Sequence, residues 1–394
     1  MGQQNPRTGD GTGWRVPLAD VVVDEKLAEA VAATLRSGWW SSGPQVEAFE
    51  SEFSAYLGSR FALAVANGTA ALQLALAAAE IGPGDEVVLP SLNFVAAANA
   101  VSHLGATPVF CDIHGEADLN LDPASLEAAV TPATRAALVL HYAGYPCDVE
   151  AVSEIAERHG LVVIEDSAHA PGASLAGRKC ATFGAAGCFS FFSNKNLPVG
   201  EGGLFVTDDE ELYRRARLLR SHGMTTLTWD RHRGHASEYD VTLRGFNFRL
   251  DELRATIGRV QLARLDEENA SRGRLVGHYR RLLEAAGLAM PFGGVRTDLC
   301  PSFHLAVAVF DSAEQRESAR ALLAAERIQT SVHYPPIHRF TAYSSEPKRV
   351  PLSETESVAT RVLTLPLYGH MSEEQVDLVA EVLVDAVGTP LRGS

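Results

Sequence analysis

The sequence lacks any apolar run long enough to cross a membrane, and it contains little cysteine. Its richest apolar stretch, from Ala70 to Ile81, is shorter than the roughly 18–20 residues that span a bilayer, so we predict no membrane segment. The five cysteines form no C-x-x-C pair, which argues against a disulfide framework or a zinc site and favours a reducing, cytoplasmic compartment. We expect each to be a small buried residue: Cys111, Cys147, Cys180, Cys188 and Cys300.

The chain also has fewer basic residues than acidic ones. The chain has 34 Lys and Arg residues against 49 Asp and Glu residues, which gives a formal net charge of −15. Such an acidic surface disfavours nucleic acid and anionic membranes as partners. Residues 1–15 are polar and glycine-rich without the apolar core of a secretory signal, so we expect a disordered tail. Gly9, Gly11 and Gly13 lie in this tail and follow no strand, which disfavours a dinucleotide-binding motif.

Short β-rich runs alternate with helical stretches from about residue 62 to residue 207. The runs are continuously apolar, as expected where helices cover both faces of a sheet, and the alternation implies mostly parallel strands. We therefore predict an α/β fold with a large domain built on a mostly parallel seven-stranded sheet flanked by helices. The predicted strands are Ala62–Ala66, Glu86–Leu89, Pro108–Asp112, Ala136–His141, Leu161–Glu165, Gly187–Phe191 and Leu204–Thr207.

The pattern changes after Thr207. A charged helix, a polar loop and a long helical stretch over Arg249–Leu282 are followed by a smaller α/β unit. Strands are predicted in this unit at Phe303–Val309 and Gln329–Tyr334. We predict a large domain over residues 16–255 and a small C-terminal domain over residues 256–394.

Three groups of residues follow predicted strands, at the sheet edge where open α/β sheets bind ligands. Gly68 and Thr69 open a helix whose free N–H groups suit a phosphate, although an ordinary capped turn has the same pattern. Asp166 ends a buried strand, where a carboxylate either pairs with a cation or caps a helix. Lys195 follows Ser190 and an aromatic strand. A buried neutral amine suits Schiff-base chemistry, and the alternative is an ordinary surface lysine.

Each pattern is weak alone, but their order is specific. A phosphate turn, then an acid at a strand end, then a lysine after the next strand is the layout of fold-type I pyridoxal phosphate (PLP) enzymes. From about Val16 to about Val387 the sequence resembles the DegT/DnrJ/EryC1/StrS family of PLP-dependent sugar aminotransferases. The matching segments are SGWWSSGPQVEAFE, NGTAALQLAL, PSLNFVAAANAV, LHYAGYPCD, VIEDSAHAPGA, FSFFSNKNLPVGEGG, RGFNFRLDELRATIG and LTLPLYGHMSEEQ.

The resemblance implies an aspartate-aminotransferase-like fold and gives roles to matching residues. Lys195 would carry PLP as a Schiff base and would move a proton once the amino donor displaces it, with pyridoxamine phosphate as intermediate. Asp166 would keep the ring nitrogen protonated, Phe94 would stack on the ring, and His169 would lie beside the phenolic oxygen. The phosphate would be bound by Gly68, Thr69 and Ser190, together with Asn247 of a neighbouring subunit, so the active site would need a homodimer.

The resemblance also implies glutamate as amino donor and a nucleotide-linked keto-sugar as acceptor. FNFRLDEL and KNLPVGEGG are closer to members that act at C4, which favours a dTDP- or UDP-4-keto-6-deoxyhexose, although Phe248 replaces the usual tyrosine. A 3-keto-sugar and a keto-inositol are the alternative substrates, and a non-catalytic PLP-binding regulator is the alternative of another class. No metal is expected. Candidate substrate contacts are His333, Tyr334 and His338, with Arg231, His232 and Arg233 as weaker ones; ordinary loop residues and solvated charges would give the same patterns.

Overall fold

The computed structural model describes residues 13–226, 238–294 and 296–387. Within these ranges the strands are β1 Phe61–Val65, β2 Glu86–Pro90, β3 Thr107–Cys111, β4 Ile113–Gly115, β5 Asp118–Leu121, β6 Thr134–Leu140, β7 Val162–Asp166, β8 Ser174–Leu175, β9 Arg178–Lys179, β10 Ala186–Ser190, β11 Gly203–Thr207, β12 Leu299–Cys300, β13 Ala306–Val309 and β14 Val362–Leu365. The helices are α1 Glu25–Arg36, α2 Pro44–Leu57, α3 Gly68–Ala78, α4 Ala96–Ser102, α5 Pro123–Ala129, α6 Val149–His159, α7 Glu210–Arg220, α8 Glu252–Leu262, α9 Leu265–Ala285, α10 Ala313–Ala325, α11 Ser353–Ala359 and α12 Glu373–Val387.

Seven strands form the main sheet, in the order β1-β11-β10-β7-β6-β2-β3. β11 runs antiparallel to both of its neighbours, and the remaining pairings are parallel. Each strand lies within two residues of one predicted from the sequence, so the mostly parallel seven-stranded sheet is confirmed.

Helices cover both faces of this sheet. Side chains on one face, such as Leu138 and Ile164, pack against α3, α4 and α7. Those on the other face, such as Val139 and Phe189, pack against α2 and α8 near one edge and against α5 and α6 near the other. Successive residues of a strand point to opposite faces of the sheet. Because both faces are buried, the residues on both are apolar, which explains the continuous apolar runs in the sequence.

A second apolar core lies in the C-terminal part of the chain. The antiparallel pair β13–β14 packs against α9, α10 and α12. Val16 joins this core from the other end of the chain, where it pairs with Ile328. Position 255, the predicted domain boundary, lies inside α8, and the division between residues 255 and 256 stays a prediction.

Two predictions for this part of the chain are wrong. The stretch Arg249–Leu282 is not one helix, because the chain turns at Arg264, whose side chain donates to the Val22 carbonyl and reaches Asp24. The stretch Gln329–Tyr334 is not a strand. Only Ser331 pairs with Thr364, and the two prolines that follow at 335 and 336 have no N–H groups to continue a ladder.

Four of the cysteines are buried as expected, but the fifth is not. Cys300 is exposed at the end of β12, which pairs only with the two-residue strand β8 and leaves this side chain uncovered. None of the described helices combines the length and apolar character that crossing a bilayer requires. Among the described residues, no three His, Cys, Asp or Glu side chains converge as a metal site would require.

Candidate active site

A cavity of about 400 Å³ lies at the carboxyl ends of β1, β2, β6, β7 and β10. Parallel strands end at the same edge of a sheet, so residues distant in sequence meet there. Of the predicted site residues that the structure describes, all except Asn247 and His338 line the cavity. A larger cavity, of about 870 Å³ between α1, α2 and α8, contains none of them.

The turn after β1 brings backbone close to the end of β10. Asn67 caps α3 by accepting a hydrogen bond from the Ala70 N–H at 2.8 Å, which fixes the orientation of the helix start. A Cβ atom at Gly68 would lie 2.7 Å from the Cβ of Ser190, so only glycine fits. The N–H groups at the helix start and the hydroxyls of Thr69 and Ser190 therefore face one small region, which suits a phosphate.

Asp166 ends β7 with its carboxyl group almost fully buried. One oxygen accepts a hydrogen bond from the Ala168 N–H at 3.1 Å. Burial raises the pKa of this carboxyl, and the charge of Lys195 opposes that rise. A cation in the cavity would stabilise the ionised form, which is the requirement that the sequence predicted for this position.

Lys195 lies in the turn that follows β10 and is partly buried. Its backbone N–H donates to the Phe192 carbonyl at 2.9 Å, and this turn directs the side chain into the cavity. Burial lowers the pKa of the amine to about 8, although Asp166 acts in the opposite direction. The amine is therefore neutral much more readily than that of an exposed lysine, as Schiff-base chemistry requires.

His169 and Tyr334 contact each other in the lining of the cavity. The Nδ1 atom of His169 accepts from the Ala143 N–H at 3.3 Å, so its hydrogen lies on Nε2, which bonds to the Tyr334 hydroxyl at 2.7 Å. Burial and the charge of Lys195 hold the pKa of His169 well below its ordinary value. His333 is also buried, and its Nδ1 bonds to the Thr364 hydroxyl at 2.9 Å. These rings are therefore neutral and fixed in orientation.

Phe94 stands at the mouth of the cavity with 55% of its surface exposed. Its ring centroid lies 5.8 Å from that of Tyr334. A large exposed aromatic ring beside a cavity is available to cover a bound planar group.

Two predicted residues lie outside the cavity. His338 is buried, and its ring nitrogens bond to Ser91 at 2.6 Å and to Glu356 at 3.1 Å. Asn247 is exposed and its backbone pairs with Ser221, away from the cavity of its own chain. The assignments of both residues stay predictions. Arg231, His232 and Arg233 lie outside the described residues.

Sequence reasoning missed several residues in the cavity lining or in contact with it. His304 is the most important, because its Nε2 lies 3.4 Å from the amine of Lys195. It was included in a predicted strand over Phe303–Val309, whereas the observed strand begins at Ala306. The signal was a single histidine within an apolar run. Asn93 and Asn194 also line the cavity, and each has one buried side-chain atom without a hydrogen-bond partner.

The sequence and the fold were compared with those of known proteins. The model of the DegT/DnrJ/EryC1/StrS aminotransferase family matches residues 22–384. The spore coat polysaccharide biosynthesis protein SpsC of Bacillus subtilis is 40% identical over 380 residues, which cover 94% of this chain and 97% of that protein. The dTDP-3-amino-3,4,6-trideoxy-alpha-D-glucose transaminase of Streptomyces venezuelae is 40% identical over 382 residues, 95% of each chain.

The fold leads to the same family. A crystal structure of Streptomyces venezuelae DesV in complex with a ketimine intermediate has a TM-score of 0.84 to this chain at 39% identity, and the match covers 91% of this chain and 94% of that one. Sequence and structure agree along nearly the whole length of the chain. This chain therefore belongs to the DegT/DnrJ/EryC1/StrS aminotransferase family and is a PLP-dependent sugar aminotransferase.

Proposed function

We propose that this enzyme transfers the amino group of glutamate to the keto group of a dTDP-linked 4-keto-6-deoxyhexose. The observation that carries the proposal is that one cavity is lined by the amine of Lys195, the carboxyl of Asp166 and the turn at Gly68. No other arrangement along the described strand ends combines a readily neutral amine with a buried acid and a phosphate turn.

The residues of the cavity fit PLP. Glycine at position 68 lets the turn approach Ser190 closely, and Thr69 and Ser190 supply hydroxyl donors to a phosphate beside the N–H groups of the helix start. Phe94 offers a ring face, and Asp166 offers a buried carboxylate to a protonated ring nitrogen. When bound, PLP supplies an electron sink for the pair that the amino donor releases from its α-carbon.

Lys195 serves as the base at that carbon. Its Nζ would take a proton from the α-carbon of glutamate and pass it to the aldehyde carbon of the cofactor, and in the second half of the cycle it would carry a proton from that carbon to the sugar carbon that receives the nitrogen. A pKa of about 8 suits both directions, because a group that titrates near the working pH can accept and release a proton.

Asp166 and His169 both line the cavity and would act on the ring of PLP when it is bound. A carboxylate withdrawn from water interacts strongly with a nearby cation, so Asp166 keeps the ring nitrogen protonated. The Nε2–H of His169 donates to the Tyr334 hydroxyl at 2.7 Å, so a hydrogen bond to an oxygen on the ring would share or replace that bond. His333 and Tyr334 border the remaining space, and we assign them to the sugar nucleotide.

We also propose that the active sites are shared in a homodimer. Asn247 is exposed and is absent from the cavity lining of its own chain, and the family resemblance assigns it to the phosphate at the neighbouring subunit's site. In hybrids of Lys195→Ala and Asn247→Ala chains, one of the two sites would then regain both residues. Recovery of activity on mixing two inactive variants supports the shared site, and its absence contradicts it. The cytoplasm stays the predicted compartment.

The position of amination has two candidates. The segments FNFRLDEL and KNLPVGEGG support C4. The second candidate is C3, favoured by 40% identity to a transaminase named for a 3-amino sugar. Incubation with glutamate and either the 4-keto or the 3-keto nucleotide sugar, followed by NMR of the product, distinguishes them. An amino group on C4 supports the proposal, and one on C3 replaces it with the second candidate.

Two further experiments, one that offers a keto-inositol and one that follows the absorbance of the holoenzyme with glutamate, could also contradict the proposal. Amination of a keto-inositol in preference to either nucleotide sugar would change the substrate class. A holoenzyme whose absorbance near about 420 nm is not bleached by glutamate would exclude glutamate as the donor.

A further inference from the structure

His304 packs directly against the amine of Lys195 without any part in the proposed reaction. It precedes β13, is 3% exposed, and its Nε2 lies 3.4 Å from the Lys195 Nζ. Its other ring nitrogen, Nδ1, lies 3.0 Å from the Oδ1 of Asn196, the residue that follows Lys195. The imidazole therefore lies between the amine of Lys195 and the side chain of Asn196.

The hydrogen bonds behind His304 determine which nitrogen carries the proton. The Nδ2 of Asn196 donates to the Ser302 carbonyl at 2.7 Å and to the Oδ1 of Asn269 at 2.8 Å. The Nδ2 of Asn269 donates in turn to the Pro171 carbonyl at 2.9 Å, which fixes its own amide. With both N–H groups of Asn196 committed, its Oδ1 can only accept, so His304 carries its hydrogen on Nδ1.

The Nε2 atom of His304 is consequently an acceptor facing Lys195. Burial, the charge of Lys195 and the nearby His169 hold the pKa of His304 well below its ordinary value, so the ring stays neutral. His169 has the opposite tautomer, with Nε2 as a donor. The ring centroids of the two histidines are 4.5 Å apart, and the Nε2 of His304 faces the Lys195 amine as an acceptor while the Nε2–H of His169 donates to the Tyr334 hydroxyl.

We propose that His304 is a positioning residue that binds the Lys195 amine when the amine is free. By accepting one N–H of the neutral amine, the imidazole restricts the lone pair of Nζ to the two remaining staggered positions, away from His304, and so favours orientations in which it can attack a carbonyl carbon or take a proton. Asn196 and Asn269 hold the imidazole in the tautomer that this contact needs. The inference rests on the proposed role of Lys195.

The test measures bond formation rather than turnover. Apo-protein is mixed with PLP in a stopped-flow instrument at a pH above the pKa of Lys195, and the limiting first-order rate at saturating PLP is measured. In this step the amine nitrogen bonds to the aldehyde carbon and one water is released. His304→Leu should lower the limiting rate about tenfold, the effect of losing one oriented hydrogen bond, with little change in the PLP concentration at half-saturation.

Two further variants separate positioning from stability. His304→Gln keeps an acceptor near Lys195 and should stay within about threefold of the wild type. Tyr279→Phe removes a buried hydrogen bond to the Pro366 carbonyl far from the cavity, so it should lower the melting temperature but leave the limiting rate unchanged. If His304→Leu does not fold, Asn196→Ala keeps the imidazole and frees its tautomer, and a slower limiting rate is again expected.

The outcomes separate this inference from the proposed function. A limiting rate within about twofold of the wild type in His304→Leu, or in Asn196→Ala where the first variant is insoluble, overturns the positioning role. Borohydride reduction followed by peptide mass analysis identifies the captured residue. Capture at a residue other than Lys195 in the wild type would instead overturn the proposed function.

Discussion

The two walls of the cavity differ in their chemistry. The wall formed by the main sheet carries the ionisable pair Asp166 and Lys195, and the pKa of each is displaced by burial. The wall formed by the C-terminal part of the chain carries neutral rings, and each has a hydrogen-bond partner within the protein. His333 and Tyr334 line the cavity, and His304 lies next to them against the Lys195 amine.

The difference indicates that the two walls contribute to the reaction in different ways. A charged or nucleophilic group contributes through its interaction with the reacting atoms, and removing it leaves no substitute. A neutral ring held by one hydrogen bond contributes orientation, and the loss of that bond changes the activation free energy by only about 1 kcal/mol. We therefore expect substitutions in the first wall to have much larger effects than those in the second.

The largest effect is expected for Lys195→Ala. Without an amine at this position the protein has no base at the donor's α-carbon, so the rate should fall at least about 10⁴-fold. Steady-state turnover with glutamate measures it. The matched control is Lys179→Ala, which removes a partly buried lysine that bonds to the Gly172 carbonyl at 2.9 Å outside the cavity. Near-native turnover in Lys195→Ala would contradict the role of Lys195 as the base and, with it, the expected difference between the two walls.

Asp166→Asn should have the next largest effect. The side chain keeps its shape but loses the charge that stabilises a ring cation, and loss of a buried charge partner corresponds to a decrease in rate of about 10²- to 10³-fold. Asp122→Asn is the control, because this carboxylate lies outside the cavity, where it caps α5 and is 3.9 Å from His114, and asparagine caps equally well.

Asp166→Asn should also lower the pKa of the Lys195 amine in the apo-protein. The charge of Asp166 raises the pKa of the amine against the lowering effect of burial, so its removal should move that pKa below about 8. His169, His304 and His333 also face the amine and stay neutral. The rate of PLP capture should then reach its plateau at a lower pH in Asp166→Asn than in the wild type. A shift to higher pH would contradict the electrostatic coupling.

Gly68→Ala tests the part of the first wall that carries no charge. The added methyl group would lie 2.7 Å from the Cβ of Ser190, so the turn or β10 must move and the phosphate donors separate. We expect PLP to bind about 10- to 100-fold more weakly, as measured by fluorescence titration of the apo-protein. Gly277→Ala is the control, since that position lies within α9 with its nearest neighbour 3.9 Å away, and alanine there should stabilise the helix by up to about 1 kcal/mol. Equal PLP affinity in both variants would contradict a phosphate site at Gly68.

The two walls also differ in how well the sequence predicted them. Asp166 and Lys195 follow strands with continuous apolar runs, and the edge of a parallel sheet brings such positions together whatever the side-chain details. His304 contacts Lys195 in a segment that precedes β13, and its tautomer depends on Asn196 and Asn269, which no local pattern connects. The strand predicted over Gln329–Tyr334 failed for the same reason, because its pairing depends on distant residues rather than on its own periodicity.

The smallest effect is expected for Tyr334→Phe, in the second wall. Its hydroxyl bonds to the Nε2 of His169 at 2.7 Å, and phenylalanine keeps the ring while removing this partner. We expect kcat/KM to fall about fivefold, because one hydrogen bond of about 1 kcal/mol is lost and the ring positions are otherwise retained. Tyr343→Phe, which loses a hydrogen bond to Asn99 outside the cavity, should leave kcat/KM unchanged. A decrease of more than about 100-fold in Tyr334→Phe would be too large for orientation alone, and it would mean that this hydroxyl moves a proton and that the second wall takes part in the chemistry.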